Sequence, residues 1–321
     1  MTQERNRSIL ITGANTGLGK DVARQLAQRP EFGRIYLGSR NLEKARRAQS
    51  DLETVTGRSI FTVVVLDLSD LASVRAAVEA ITEPIDALAM NAGGTGGPTP
   101  AALTPDGVTE MFAQNVLGHV VLLEELLAAG MLTEIAVLTG SEAARGVPKL
   151  RIPRPVFTDS SVDEFTSVMD GSFFNDRKYN RMLSYGQVKY LGALWIAAMA
   201  SRSSGLRFVT MSPGNTAGTE ALRDQPAPLR TIAGKVLLPY VMPALGLGHK
   251  LEYGAGRLVR AVTDPSLQDG VFYASAANTI TGPVLDQAEI VPELRDPAVQ
   301  DHAYEAIHRF VTEPAVTRRP A

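Results

Sequence analysis

From residue 8 to residue 275 the chain alternates short aliphatic and β-branched runs with longer stretches of helical period. Apolar runs at 8–12 (SILIT), 34–38, 61–68, 85–93, 134–141, 206–214 and 270–275 read as strands, some with their exit turns. Stretches at 18–28, 41–55, 71–81, within 105–129, and 184–202 read as helices. The strand segments are nearly continuous in apolar residues, as expected of strands covered on both faces of a parallel sheet. Parallel neighbours need crossovers, and right-handed βαβ units in series build a doubly wound α/β sheet, here of about seven strands. No repeat or linker divides residues 1–321, so one domain is expected. Two stretches interrupt the alternation: 145–183, which mixes proline, charge and aromatics, and 217–250, which is largely apolar. Both follow strand C-termini, the edge where such sheets bind ligands, and are expected to form a lid and a flap. The polar tail 314–321 is expected to be mobile.

Composition narrows the function classes. Of the 321 residues 45% are hydrophobic and 21% charged, enough apolar material for a sizeable core. The net charge of −2 and a pI near 6.1 leave no basic field for a nucleic-acid backbone. There is no cysteine, which rules out disulfides, thiolate nucleophiles and cysteine metal sites. Four histidines without shared metal spacing give no reason to expect a metal. His119 reads as a packed helix residue, and Trp195 as one packed in a helix or at an interface. The N-terminus, MTQERNRS, is polar and lacks a signal-peptide core, and no run of about 20 apolar residues suggests a transmembrane helix. A cytoplasmic location is therefore expected. The segment 231–248 carries a lysine, two prolines and three glycines, and reads as a flap or an interfacial stretch capable of weak membrane contact.

The first strand exits into TGANTGLGK, with glycines at 13, 17 and 19. A sharp turn into a helix with free N–H groups and a favourable dipole suits a pyrophosphate. The spacing is G-x-x-x-G-x-G, and taken alone it serves a phosphate cradle or a structural turn equally well. The second strand ends in Ser39, Arg40 and Asn41, with no acid to hold a ribose 2′-hydroxyl; Arg40 could clamp a 2′-phosphate or be a solvated helix-start arginine. Tyr185 and Lys189 stand at i and i+4 on one helical face. A nearby ammonium favours the phenolate, so such a tyrosine could exchange a proton near neutrality. Ser141 closes a strand at the sheet's C-terminal edge, where its hydroxyl could hydrogen-bond a carbonyl or simply shape a turn. Asn115 could hold a relay water or be a buried amide satisfied by backbone.

Seven signals fall in order on these elements: TGANTGLG, LDL, NAG, QNVLGH, TGS, YGQVK and SPG. Together they resemble the short-chain dehydrogenase/reductase family up to about residue 275, which implies a Rossmann-like fold. The resemblance implies a catalytic tetrad of Asn115, Ser141, Tyr185 and Lys189. Tyr185 would be the acid/base, Ser141 would orient the carbonyl, and Lys189 would hold the nicotinamide ribose and depress the tyrosine pKa. Gly13 would make the cofactor turn, Asn15, Thr16, Gly17 and Leu18 would border the pyrophosphate, and Gly19 would let the helix approach the sheet. Asp67 and Leu68 would contact adenine, Asn91, Ala92 and Gly93 would back its ribose, and Pro213 and Gly214 would turn beside the nicotinamide. The family's P-G-x-x-x-T threonine falls on Gly218 here; threonines stand at 216 and 219, and either could supply the contact, with Thr216 the candidate carried forward.

Within the family, the GSR sequence with Ser39 and Arg40 resembles members that use NADP(H) rather than NAD(H). QNVLGHVVL, the 44-residue step from Ser141 to Tyr185 and AGRLVRAVTDPSLQDGVFYAS resemble a subgroup that includes retinol-dehydrogenase-like and protochlorophyllide-reductase-like enzymes. The photochemical members carry a cysteine two residues after the lysine; Leu191 stands here, so photochemistry is not expected. The implied activity is NADP(H)-dependent interconversion of a carbonyl and an alcohol on a bulky, apolar small molecule. Reduction of a conjugated C=C bond and a dinucleotide-sensing role without catalysis are the alternatives. Homodimers or homotetramers paired through the helices at 105–129 and 184–202 are implied as well.

Overall fold

The computed structural model describes residues 6–216, 248 and 250–312. The expected flap, 217–250, therefore lies almost wholly outside the described residues, as do Thr219, His249 and the tail 314–321. The strands are β1 Arg7–Thr12, β2 Phe32–Ser39, β3 Phe61–Val65, β4 Ile85–Met90, β5 Leu132–Thr139, β6 Arg207–Met211, β7 Phe272–Ser275 and β8 Val284–Asp286. They form one sheet in the order β3-β2-β1-β4-β5-β6-β7-β8. The first seven strands run parallel, and β8 pairs antiparallel with β7. The expected count of about seven misses β8, whose three residues are too short to show a period.

Chain order reverses between β1 and β4, so their exit loops splay apart and open a crevice at the C-terminal edge. Burial follows sheet position. All six residues of β4 are buried, whereas Thr62 and Val65 on β3 are exposed because β3 is an edge strand. Alternate residues of one strand serve opposite cores. Ile9 and Ile11 pack with α1 (Gly17–Ala27), Leu52 of α2 (Leu42–Thr56) and α8 (Leu251–Thr263). Leu10 faces the other core, built on α3 (Leu71–Glu79), α5 (Gly118–Ala128), α7 (Arg181–Arg202) and α9 (Pro297–Thr312). Trp195 is fully buried in that second core, not at a surface.

The region 145–183 is more ordered than its sequence suggested. Ser161 caps α6 (Val162–Met169) by accepting from Glu164 N at 3.2 Å, and Glu164 reaches back to Thr158, Asp159 and Ser160 N–H groups. The S-x-x-E spacing of Ser161 and Glu164 is a helix-start signal readable from sequence, although Glu164 reaches the N–H groups just before the cap and Ser161 N donates to Asp159. Phe157 stacks on Tyr190 at 5.3 Å and meets Phe165 edge-on at 5.1 Å, which fastens this segment to α7. The helix α9, unread at the sequence level, buries Ala303, Ala306, Ile307 and Phe310 at the i, i+3, i+4, i+7 spacing of an amphipathic helix.

The helix expected within 105–129 is broken into α4 (Glu110–Phe112), a π-helical turn Ala113–Leu117, and α5. The composite Glu110–Ala128 stretch is long and apolar enough to cross a membrane by composition, yet 72% of its best window is buried inside the domain. A Cβ on Gly118, at the start of α5, would sit 2.3 Å from the Leu68 carbonyl oxygen, which is main chain and cannot yield cheaply. Gly118→Ala is expected to cost about 1–3 kcal/mol, read as a lower denaturant midpoint at unchanged m-value.

Candidate active site

The loop after β1 approaches its neighbours closely. Gly13 takes φ +67° and Gly17 φ +54°, conformations that favour glycine. A Cβ at Gly19 would lie 2.5 Å from Gly13 O and 2.6 Å from the Asn91 amide. Thr16 precedes α1 in an extended conformation and makes no side-chain cap, so the first-turn N–H groups of Gly17, Leu18 and Gly19 face the crevice edge. Asn15 and Leu18 are half-buried and Thr16 exposed. A narrow backbone cradle beside an uncapped helix start fits a pyrophosphate.

At the end of β2 the buried Ser39 hydroxyl accepts from Asn41 N, and Arg40 is exposed beside it. Asp67 is tied into its own turn, its carboxylate accepting from Ser69 N at 3.0 Å, and Leu68 is buried. These residues line the exits of β2 and β3, next to the glycine loop, in the order the sequence implied.

A hydrogen-bonded junction joins the crevice walls. The Thr12 hydroxyl accepts from Asn91 N and Ala92 N, each at 2.9 Å, and donates to His119 Nε2 at 2.9 Å. The Asn91 amide donates to Thr12 O. His119 Nδ1 in turn donates to the Asn115 carbonyl, 3.2 Å away in the π-helical turn. Burial pushes the His119 pKa down to about 3, with the Lys189 ammonium acting in the same direction. The imidazole is therefore neutral and carries its proton on Nδ1. Asn115 is satisfied by backbone: Nδ2 donates to Gly94 O and Met111 O, and Oδ1 accepts from Gly94 N. π-helical turns of this kind recur at functional sites. A Cβ on Gly93 would lie 2.4 Å from Asn115 Oδ1 and 3.6 Å from Lys189 Nζ, so these three residues meet at one point.

Ser141 and Tyr185 meet above it. Ser141 follows β5, and its hydroxyl accepts from Ala143 N at 3.2 Å while contacting the Tyr185 phenol. Gly186 lets α7 approach this turn: a Cβ there would lie 2.6 Å from Ala143 O. Lys189 is buried and donates to Thr139 O at 2.9 Å; its Nζ lies 5.8 Å from the Tyr185 ring centre. The sequence-level expectation that Lys189 depresses the tyrosine pKa does not describe this state. Burial pushes Tyr185 up to about 12, the Ser141 contact opposes that, and the Glu142 carboxylate adds to it. Burial also pushes Lys189 down to about 8.

Pro213 and Gly214 form the turn after β6, with Gly214 N donating to the Ser212 hydroxyl at 3.1 Å. Thr216 is buried, and its hydroxyl donates to Pro213 O and Gly214 O. Thr12, His119, Glu142 and Gly186 were not among the expected site residues. His119 falls four residues after Asn115, a spacing that places it within reach of the Asn115 carbonyl; Thr12 and Gly186 stand inside the TGANTGLG and YGQVK signals, and nothing local marks Glu142.

The folded-state pKa of His119 lies below its unfolded value of about 6.5. Its contribution to stability is therefore complete above pH 6.5 and is lost as pH falls from there towards 3, at up to about 1.4 kcal/mol per pH unit. Urea midpoints between pH 7 and 4.5 should fall more steeply for the wild type than for His119→Gln; parallel slopes would contradict a neutral buried imidazole.

Comparison with known proteins agrees with this fold. Residues 7–145 match the short chain dehydrogenase family. The chain is 34% identical to bovine (Bos taurus) retinol dehydrogenase 12 over 63% of its own length and 58% of that protein's. It is 30% identical to a chloroplastic protochlorophyllide reductase of Chlamydomonas reinhardtii, over 87% of this chain and 71% of the relative. A Burkholderia cenocepacia short chain dehydrogenase in complex with NADP superposes with a TM-score of 0.58 at 20% identity, covering 87% of this chain and 99% of that one. Salutaridine reductase from Papaver somniferum does so with 0.60 at 16% identity, covering 84% and 100%. The structural likenesses show the shared fold, and the sequence relatives place the chain in a family of oxidoreductases: it belongs to the short-chain dehydrogenases.

Proposed function

We propose that this chain is an NADP(H)-dependent oxidoreductase that interconverts a carbonyl and an alcohol on a bulky, largely apolar small molecule. The observation that carries the reading is the Tyr185 phenol in contact with Ser141, with Lys189, Asn115 and Gly93 gathered beside them at the C-terminal edge of the sheet. The Gly13–Gly19 cradle and the uncapped start of α1 suit the pyrophosphate. Ser39 and Arg40 suit a 2′-phosphate, Asp67 and Leu68 the adenine, and Asn91, Ala92 and Gly93 the adjoining ribose. Pro213, Gly214 and Thr216 suit the nicotinamide side. NADP(H), when bound, supplies the hydride.

Tyr185 holds its proton at neutral pH, as burial requires, and that is the state needed to protonate a carbonyl oxygen during reduction. Ser141 holds the same oxygen within reach of the phenol. Lys189 is fixed by Thr139 O and lies next to Asn115, so both can hold the ribose side of the pocket and restore the proton. In the lid, Phe173, Phe174 and Tyr179 form a chain of edge-on contacts at 5.2 and 5.0 Å, which suits an apolar substrate. The names of the retinol dehydrogenase relatives support a substrate of that kind.

Tyr185→Phe should lower kcat for ketone or aldehyde reduction by at least about 10²-fold while NADPH still binds, as read by quenching of nicotinamide fluorescence. Full turnover in that variant would overturn the mechanism. Arg40→Asp should weaken NADPH binding about 10- to 100-fold and leave NADH binding nearly unchanged; equal losses for both would overturn the cofactor assignment.

A further inference from the structure

Directly behind Ser141 lies a buried carboxylate that the mechanism above does not use. Glu142 is 4% exposed. Its Oε2 accepts from the Ser212 hydroxyl at 2.6 Å, and that hydroxyl accepts from Gly214 N. Its Oε1 accepts from Ser275 N at 3.1 Å and faces Arg257 Nη1 at 3.6 Å. Arg257, on α8, also donates to Ser212 O, Ser275 Oγ and Gly282 O. One side chain thus ties together the turn that carries Ser141, the turn at Pro213 and Gly214, the end of β7, and α8. A buried acid is costly unless its oxygens are filled and its charge is matched, and here both conditions are met.

We propose that Glu142 is a positioning residue, which locks the Ser141 turn and the Pro213–Gly214 turn into one frame so that the two sides of the pocket keep a fixed spacing. The proposal rests on the functional reading above. If the Pro213–Gly214 turn borders the nicotinamide, Glu142 sets the distance between the cofactor and the hydroxyl that orients the substrate oxygen. The charge also reaches the acid/base. Three charged or titratable groups face the carboxylate: Arg257 from α8, Arg145 from the turn that follows, and Tyr185 from α7. Arg145 is anchored to Gln287 and to the carbonyls of Ser275, Ala276 and Thr279, so the second arginine near the acid is itself held by hydrogen bonds.

The test compares Glu142→Gln with Ser212→Ala in the full-length protein. NADPH binding is read by fluorescence, and the pH profile of kcat by NADPH oxidation with a panel of bulky aldehydes. Ser212→Ala removes the tie to the Pro213–Gly214 turn and should raise the NADPH Kd about tenfold; Glu142→Gln weakens it by replacing a charged acceptor with an amide and should raise the Kd less. Only Glu142→Gln removes the negative charge beside Tyr185. Its alkaline limb of kcat, where the proton donor is lost, should therefore move to lower pH, while that of Ser212→Ala stays in place. Unchanged NADPH affinity in Ser212→Ala would overturn the proposal, as would an alkaline limb in Glu142→Gln that matches the wild type. If Glu142→Gln does not fold, Ser212→Ala still decides. Failure of the functional reading would look different: wild-type protein would neither quench NADPH fluorescence nor oxidise it.

Discussion

The hydroxyl of Thr12 is the junction on which the whole crevice depends. It accepts two main-chain N–H groups from the turn after β4 and donates to a histidine on the helix that follows. The exits of β1 and β4, which the sheet topology forces apart, are thereby held in one frame. The glycine loop packs on that frame: a Cβ on Gly19 would lie 2.6 Å from the Asn91 amide, too close to exist, and one on Gly13 would lie 3.1 Å from Ala92, a tight contact. The same frame extends through His119 to the Asn115 carbonyl, and from Asn115 to Gly93 and Lys189. The cradle proposed for the phosphates and the residues proposed for proton transfer are thus joined by hydrogen bonds from Asn91 through Thr12 and His119 to Asn115, and by close packing from there to Gly93 and Lys189.

Burial dominates the electrostatics of that structure. Tyr185 is pushed up and Lys189 down, each towards its neutral form, and His119 is neutral outright. Lys189 spends its one close hydrogen bond on a main-chain carbonyl, not on the phenol. The i, i+4 pair is therefore two desolvated groups on a shared face, and the Glu142 carboxylate adds to the upward push on Tyr185. Around buried groups such as Lys189 and Glu142, small changes in fixed charge have large effects on proton affinity.

Much of the fold could be read from periodicity. Continuous apolar runs such as 85–90 marked the central strands, because a strand covered on both faces has no reason to alternate. β8 escaped because three residues carry no period. α6 and α9 carried signals that were there to find: the S-x-x-E step from Ser161 to Glu164, and the spacing of Ala303, Ala306, Ile307 and Phe310. For the site, the glycine loop and the Tyr185–Lys189 pair stand out in the sequence by local spacing, whereas Ser141 took its site role only through the family resemblance. Thr12, His119 and Glu142 act through partners 70 to 133 residues away or through main-chain atoms. The direction of the Tyr185 shift was misread for the same reason: helical spacing reports which residues share a face, and says nothing of how deeply that face is buried.

The central claim, that this pocket moves a hydride to a carbonyl carbon and a proton to its oxygen, can be tested by following the label. The protein would be incubated with NADPH carrying deuterium at both nicotinamide C4 positions and an α,β-unsaturated aldehyde with a bulky apolar tail, and the products resolved by mass spectrometry and NMR. The account predicts deuterium on the carbinol carbon of an allylic alcohol, with the C=C bond intact. Deuterium on the former alkene carbon, or none in any product, would contradict it.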